Sequence, residues 1–113
     1  MSASTIAAVG ALIDAHRQLT PVLAEHLQDN DGVVLPHLLL ADIIRWLVAN
    51  LDSHADLAGS VLIWLEAEYQ RGLDDVQGLI TVSAVEMIPD PGQPGAELRV
   101  LLGPTLTSLD PWS

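Results

Sequence analysis

Three features of the sequence predict an all-α fold. Apolar residues recur at the three- and four-residue spacing of a helix, and prolines and glycines separate these stretches. The one ambiguous segment has no second strand to pair with. We therefore predict an irregular bundle of five to six short helices. The 113 residues are enough for one core, so we expect a single helical domain over residues 1–113, with a loose tail at residues 110–113.

The first two helices are defined by caps and by a turn. Ser4 or Thr5 can cap a helix over residues 5–19, because a hydroxyl group can accept from the free amides of the first turn. Thr20-Pro21 restarts a helix, since proline is favoured in the first turn. The sequence Asp29-Asn30-Asp31-Gly32 predicts the end of that helix and a turn.

The third and fourth helices carry the strongest apolar pattern. Pro36 opens a helix to about Leu51, whose stripe is typical of a central helix (Leu40, Ile43, Ile44, Leu47). Asp52-Ser53 is predicted to cap the next helix, which runs from about His54 to Arg71. Gly72 is predicted to end it, because glycine readily adopts the left-handed conformation found after helices.

The C-terminal third alternates between helical and rigid segments. Residues 75–88 fit a helix period, although residues 80–85 are β-branched and could form a strand. We favour a helix, because no partner strand exists. Residues 89–95 contain three prolines and two glycines and predict a rigid loop. A short helix over residues 96–102 and a last turn over residues 104–109 follow.

The charge balance predicts a cationic protein as partner. Acidic residues outnumber basic ones 15 to 4, the formal net charge is −11, and there is no lysine. Nucleic acids and anionic membranes are disfavoured, because both are bound through cations. The alternative is that the charge only keeps an apolar protein in solution. Cysteine is absent, and we find neither a signal peptide nor an apolar stretch long enough for a membrane span, so we expect a cytoplasmic location.

The motifs point to no metal and no cofactor. In a calcium loop with Gly32 at its glycine position, Leu27 and Leu38 would stand at the first and last ligand positions, where neither can bind the ion. The four histidines lack the helical spacings of zinc and di-iron sites. No glycine–serine elbow surrounds Ser83.

Two alternatives to a binding role stay open. His37, Asp42 and Glu86 could form a small acid–base or metal site in an enzyme. Half of the residues are hydrophobic, so exposed apolar patches could instead form a homodimer in a self-associating structural or adaptor subunit. Trp112, near the end of the chain, either packs back onto the bundle or is presented to a partner.

Two segments resemble a group of small bacterial proteins of unknown function. They are DNDGVVLPHLLLADIIRWL at residues 29–47 and VQGLITVSAVEMIPDPGQPGAELRVLLGP at residues 76–104. The sequence departs from that pattern at Val33, where an acid is usual, and at Met87, where a polar residue is usual. These proteins are similar to the immunity proteins that neutralise bacterial polymorphic toxins. The resemblance implies that the positions that matter include Asp29, Asp31, His37, Asp42, Ser83, Glu86 and Glu97.

Charge and resemblance together predict an acidic interaction module. We expect an immunity protein that binds and occludes a cognate basic toxin, with no catalytic role of its own. The candidate partner-binding residues are Asp29, Asp31, His37, Asp42, Glu86, Glu97 and Trp112.

Overall fold

The all-α prediction is confirmed. A computed structural model describes residues 2–113, and in this range it contains six α-helices, three short 3₁₀ helices and no strand. The α-helices are α1 (Ala3–Ala15), α2 (Thr20–Asp29), α3 (Pro36–Ala49), α4 (Ala55–Gln70), α5 (Asp74–Ser83) and α6 (Pro104–Leu109). The 3₁₀ helices span Arg17–Leu19, Val85–Met87 and Ala96–Leu101. Within the described range, no helix has the length and apolar character that crossing a membrane requires.

Helix α1 begins and ends earlier than its pattern predicts. Ser2 is the N-cap, in place of Ser4 or Thr5: its hydroxyl accepts from the Thr5 amide at 3.1 Å, and the Thr5 hydroxyl accepts from the Ser2 amide at 3.3 Å. The predicted helix over residues 5–19 is divided at His16, where the backbone leaves helical geometry and a 3₁₀ turn follows. The apolar spacing continues across this break, because Leu19 still points into the core.

Helix α3 lies at the centre of the bundle. Its buried side chains include Leu39, Leu40, Ile43, Ile44 and Leu47, and it packs against α1, α2 and α5. The stop predicted before it is confirmed: Asp31 and Gly32 both adopt positive φ, 56° and 77°, in the turn that follows α2. Nearly all buried apolar side chains of the described residues belong to one hydrophobic core, and Ala41 is the exception.

Helix α4 lacks the cap that its sequence predicts. His54 is the N-cap residue, and neither Asp52 nor Ser53 provides a side-chain cap hydrogen bond. The Ser53 hydroxyl contacts the ring of His54 at 3.0 Å instead, and that ring packs against Trp46. The C-terminal end is as predicted, because Gly72 follows the helix with φ +85°.

Helix α5 settles the ambiguity at residues 80–85 in favour of helical structure. The α-helix ends at Ser83, five residues before the predicted end at Ile88. Ala84 adopts φ −117° and ψ −66°, and a 3₁₀ turn over Val85–Met87 follows. The β-branched run therefore marks the point where the regular helix gives way to a tighter turn.

The C-terminal segment folds back onto α4. The loop at residues 89–95 leads into the 3₁₀ helix Ala96–Leu101 and then α6, and both of these helices pack against α4. The loop comes so close to α3 that a Cβ at Gly95 would lie 2.2 Å from Cγ1 of Val48. The structure therefore requires glycine at position 95.

Candidate partner-binding surface

The candidate residues lie in three separate places on the surface. Asp29 and Asp42 line an acidic recess between α2 and α3, with Asp31 in the turn beside it. His37 lines a groove between the starts of α1 and α3 and the side of α5. Glu86 and Trp112 line a recess at the C-terminal end, and Glu97 lines its neighbour. The residues predicted from the sequence therefore belong to three separate surfaces and do not form one site.

The acidic recess is built around a buried histidine. It measures about 130 Å³ and is lined by Val22, Glu25, His26, Asp29 and Asp42. His26 is 1% exposed, and its Nε2 accepts a hydrogen bond from the Leu35 amide at 3.1 Å. The ring proton is therefore on Nδ1, which faces Oδ2 of Asp42 at 3.3 Å. Asp42 also forms an ion pair with Arg45, so its carboxylate is already engaged on two sides.

The groove is the largest cavity of the three, at about 730 Å³, and is mostly apolar. Leu38 and Val82 stand exposed along it. His37 contributes Nδ1 to a 2.9 Å hydrogen bond with the hydroxyl of Ser83. Ser83 is only 4% exposed, and this bond engages its hydroxyl. The pair therefore links α3 to α5.

One carboxylate of this groove carries a shifted pKa. Asp75 accepts from the Ser4 hydroxyl at 2.7 Å and from the amide of Val76 at 3.0 Å. Hydrogen bonding by Ser2 and Ser4 is the main reason why the pKa of Asp75 lies below its ordinary value. Asp75 therefore stays charged, and it connects α5 to the start of α1.

We define the C-terminal recess as the cavity of about 390 Å³ lined by Val85, Glu86, Ile88, Asp90, Arg99, Leu109, Pro111 and Trp112. A buried ion pair supports it. Nε of Arg99 lies 2.6 Å from Oδ2 of Asp110, whose side chain is 2% exposed. Arg99 also donates from Nη1 to the carbonyl of Pro89 at 2.9 Å. This pair joins the loop, the 3₁₀ helix Ala96–Leu101 and the end of the chain.

Asp110, the first residue of the tail expected to be loose, is buried, whereas residues 111–113 are exposed. Besides pairing with Arg99, Asp110 accepts the backbone amide of Trp112 at 3.1 Å through Oδ1, and its carbonyl accepts from Ser113. These bonds form a turn that fixes the backbone of Trp112 beside the recess. The indole itself is 57% exposed. Trp112 is therefore presented on the surface and not packed into the core.

Two carboxylates of the C-terminal recess have no partner within the described part of the chain. Glu86 and Asp90 are exposed, and neither side chain has a hydrogen-bond or ion-pair partner among residues 2–113. Arg99 is compensated by Asp110. Glu86, Asp90 and Asp110 carry three negative charges and Arg99 carries one positive charge, so the net charge at the recess is −2. The recess thus combines an exposed aromatic ring with free negative charge.

A second recess adjoins it across Arg99. It measures about 550 Å³ and is lined by the loop at residues 91–94 together with Ala96, Glu97, Arg99 and Val100. Val100 is 83% exposed. Glu97 therefore lines a recess that shares Arg99 with the recess of Glu86 and Trp112.

Sequence reasoning missed three residues of this surface: Asp90, Arg99 and Asp110. Asp90 was counted only as part of a rigid loop. Arg99 and Asp110 are 11 residues apart, a spacing that indicates no contact within one helix. The one available signal is Asp110-Pro111, since an aspartate at such a position favours a turn bonded through its own side chain.

The structure does not assemble the acid–base site considered above. His37, Asp42 and Glu86 line three different cavities. Within residues 2–113, no three histidine, aspartate or glutamate side chains are grouped as ligands for a metal ion. These three residues therefore do not line one common cavity.

Comparison with known proteins returns no match. No protein-family model matches the chain, and no curated protein or solved structure is significantly similar to it.

Proposed function

We propose that the protein is an acidic interaction module that binds a cationic protein, and that it acts as an immunity protein that occludes a cognate bacterial toxin. One observation carries the proposal. Every arginine of this lysine-free chain lies within ion-pair distance of a carboxylate of the same chain. The pairs are Arg17–Asp14, Arg45–Asp42, Arg71–Glu68 and Arg99–Asp110.

This pairing leaves a large excess of negative charge. Of the 15 acidic residues, four are used by the arginines, so 11 have no arginine partner. The carboxylate beside each arginine weakens its attraction for a phosphate group or an acidic protein. A cationic surface is the natural complement, because opposite potentials accelerate encounter and exclude wrong partners.

The proposal is tested by capture from native lysate. The bait is the full chain, washed at low and at high salt, with recovered proteins identified by mass spectrometry. We expect one dominant basic protein, whose association rate falls about tenfold or more when salt is raised to screen the charges. A bait with three exposed carboxylates converted to amides (Asp29→Asn, Asp52→Asn, Glu97→Gln) should recover less of it.

Two results would overturn the proposal. One is recovery of the bait alone, which would favour a self-associating subunit. The other is a stable complex with a neutral or acidic protein whose association rate is independent of salt, because electrostatic capture requires that dependence.

A further inference from the structure

We propose that the C-terminal recess receives an arginine side chain of the partner, with the guanidinium group stacked on Trp112 and paired with Glu86 and Asp90. This inference rests on the proposed function and deepens it, because it names the chemical group that is bound and the place where it binds.

The aromatic wall is the first argument. The indole of Trp112 is 57% exposed and forms part of the lining of the recess. Here the backbone of Trp112 is fixed by Asp110, which is itself held by Arg99. The backbone that carries the ring is therefore held beside the recess before any partner arrives. The face of an indole attracts cations, and among amino acid side chains arginine stacks on it best.

The charge of the recess is the second argument. Glu86 and Asp90 have no side-chain partner among residues 2–113, so neither must give up a bond to accept a new one. The only cation of the recess, Arg99, is compensated by the buried Asp110. The net charge of −2 therefore attracts a cation and repels an anion.

The shape and lining of the recess favour arginine over other cations. Its volume of about 390 Å³ accommodates one long side chain. Val85, Ile88, Leu109 and Pro111 offer apolar surface to an aliphatic stem. The two carboxylates can then accept hydrogen bonds from the five N–H donors of a planar guanidinium. The ammonium group of a lysine is a compact point charge, and it would stack less well on the indole of Trp112.

The test is an NMR titration of the full ¹⁵N-labelled chain with acetyl-Gly-Arg-Gly-amide. The readouts are the indole N–H resonance of Trp112, assigned by comparison with Trp112→Phe, and the backbone amide resonances of the recess, which remain measurable in variants without the indole. We expect a saturable shift confined to the C-terminal recess, a weaker effect with the lysine peptide, and none with the citrulline peptide. Citrulline matches arginine in shape but carries no charge.

Matched variants separate the recess from general attraction. Glu86→Gln with Asp90→Asn, or Trp112→Ala alone, should weaken peptide binding about tenfold. Asp56→Asn with Asp74→Asn removes the same charge from exposed positions that line none of the recesses, and it should change peptide binding less than about twofold. These residues are exposed, so the variants are expected to fold. No saturable shift, an equal shift with citrulline, or equal losses in both charge pairs would overturn the inference.

The two proposals can fail separately. If the captured basic partner binds Trp112→Ala as tightly as the original chain, the recess is not its site while electrostatic capture stands. If no basic partner is captured, the proposed function fails. The peptide titration then still tests, independently, whether the C-terminal recess binds arginine.

Discussion

Gly95 shows how one residue constrains the path of a whole segment. It stands at φ +89°, where a side chain is strained, and its missing Cβ leaves room for Val48 of α3. Gly92, three residues earlier in the same loop, has almost the same φ of +88° but open space around it. Substitutions at Gly92 and Gly95 therefore distinguish the stability lost through backbone strain from the stability lost through overpacking.

We expect Gly95→Ala to destabilise the protein by about 3 kcal/mol, because strain and overpacking act together. Gly92→Ala should cost only about 1 kcal/mol, since strain acts alone. Urea unfolding of both variants measures the difference. Equal losses would show that the loop moves away from Val48 without cost.

The histidines illustrate what a sequence hides at this scale. His16 hydrogen-bonds Ser60 of α4 at 2.9 Å, and His37 hydrogen-bonds Ser83 of α5, at sequence separations of 44 and 46 residues. His26 joins α2 to the start of α3. Spacing excluded these residues as a helical metal site, but their partners are set by how the helices pack. Local sequence therefore could not predict their role as links between elements.

Helix α6 shows how a short element depends on another for its stability. It has six residues and no cap of its own. Glu66 of α4 provides one from outside, because its carboxylate accepts from the amides of Thr105 and Leu106, both at 2.9 Å. Gly103 makes room, since a Cβ there would lie 2.7 Å from Cδ of Glu66.

These bonds predict a pH-dependent contribution of Glu66 to stability. Partial burial alone would raise its pKa, but the backbone bonds from Leu106 and Thr105, with help from side chains of Thr105 and Gln70, outweigh it and lower the pKa below its ordinary value of 4.5. The folded state therefore favours the charged form. The resulting stability is present above about pH 4.5 and is lost as the pH falls through the lower folded pKa.

We expect Glu66→Gln to lower the free energy of unfolding by about 1 kcal/mol at neutral pH. The loss should become progressively smaller below about pH 4.5, because the original glutamate is then protonated and neutral, like glutamine. Urea unfolding as a function of pH measures this. Glu25→Gln, which removes an exposed charge without hydrogen-bond partners among the described residues, is the control. A loss independent of pH would mean that the charge of Glu66 plays no part.

Element boundaries were predictable where local chemistry decides them. Helices α2 and α6 begin at the positions that Pro21 and Pro104 indicate, and Gly72 ends α4. The ends of α1 and α5 were not predictable, because the apolar period continues through His16 and Ala84 while the backbone turns to keep contact with the core. The cap of α6 was hidden too, since Glu66 lies about 40 residues away.

The net charge acts on the molecule as a whole. Carboxylates without an arginine partner surround a small core, so the folded state is under electrostatic strain that unfolding relieves. We expect sodium chloride, raised from about 0.02 M to about 0.3 M, to stabilise the fold by up to about 1 kcal/mol through screening.

The measurement is urea unfolding across this salt series. The triple-amide variant described above, with Asp29, Asp52 and Glu97 changed, should show a smaller salt effect, because it carries less charge to screen. An equal effect in both proteins would point to a general salt effect on apolar burial.

The candidate surface was predictable only in its parts. Composition predicted its sign of charge, and the position of Trp112 near the chain end raised it as a contact residue. The grouping of Glu86, Asp90 and Trp112 depends on the Arg99–Asp110 pair, which forms only after the C-terminal segment has folded back. Asp29 carries a carboxylate like Glu86 and Asp90 but lines a different recess, and His37 lines the groove. The sequence identifies which residues are acidic or aromatic, whereas the fold determines which of them line the same recess.

The pairing of all four arginines also determines how copies of the protein behave toward one another. Each arginine already has a carboxylate beside it, and the net charge is −11, so two copies repel one another on average. In colloidal terms the protein is a particle of strong net negative charge. A crowded solution of it therefore resists clustering at low salt, and any contact between copies must rely on apolar patches strong enough to overcome that repulsion.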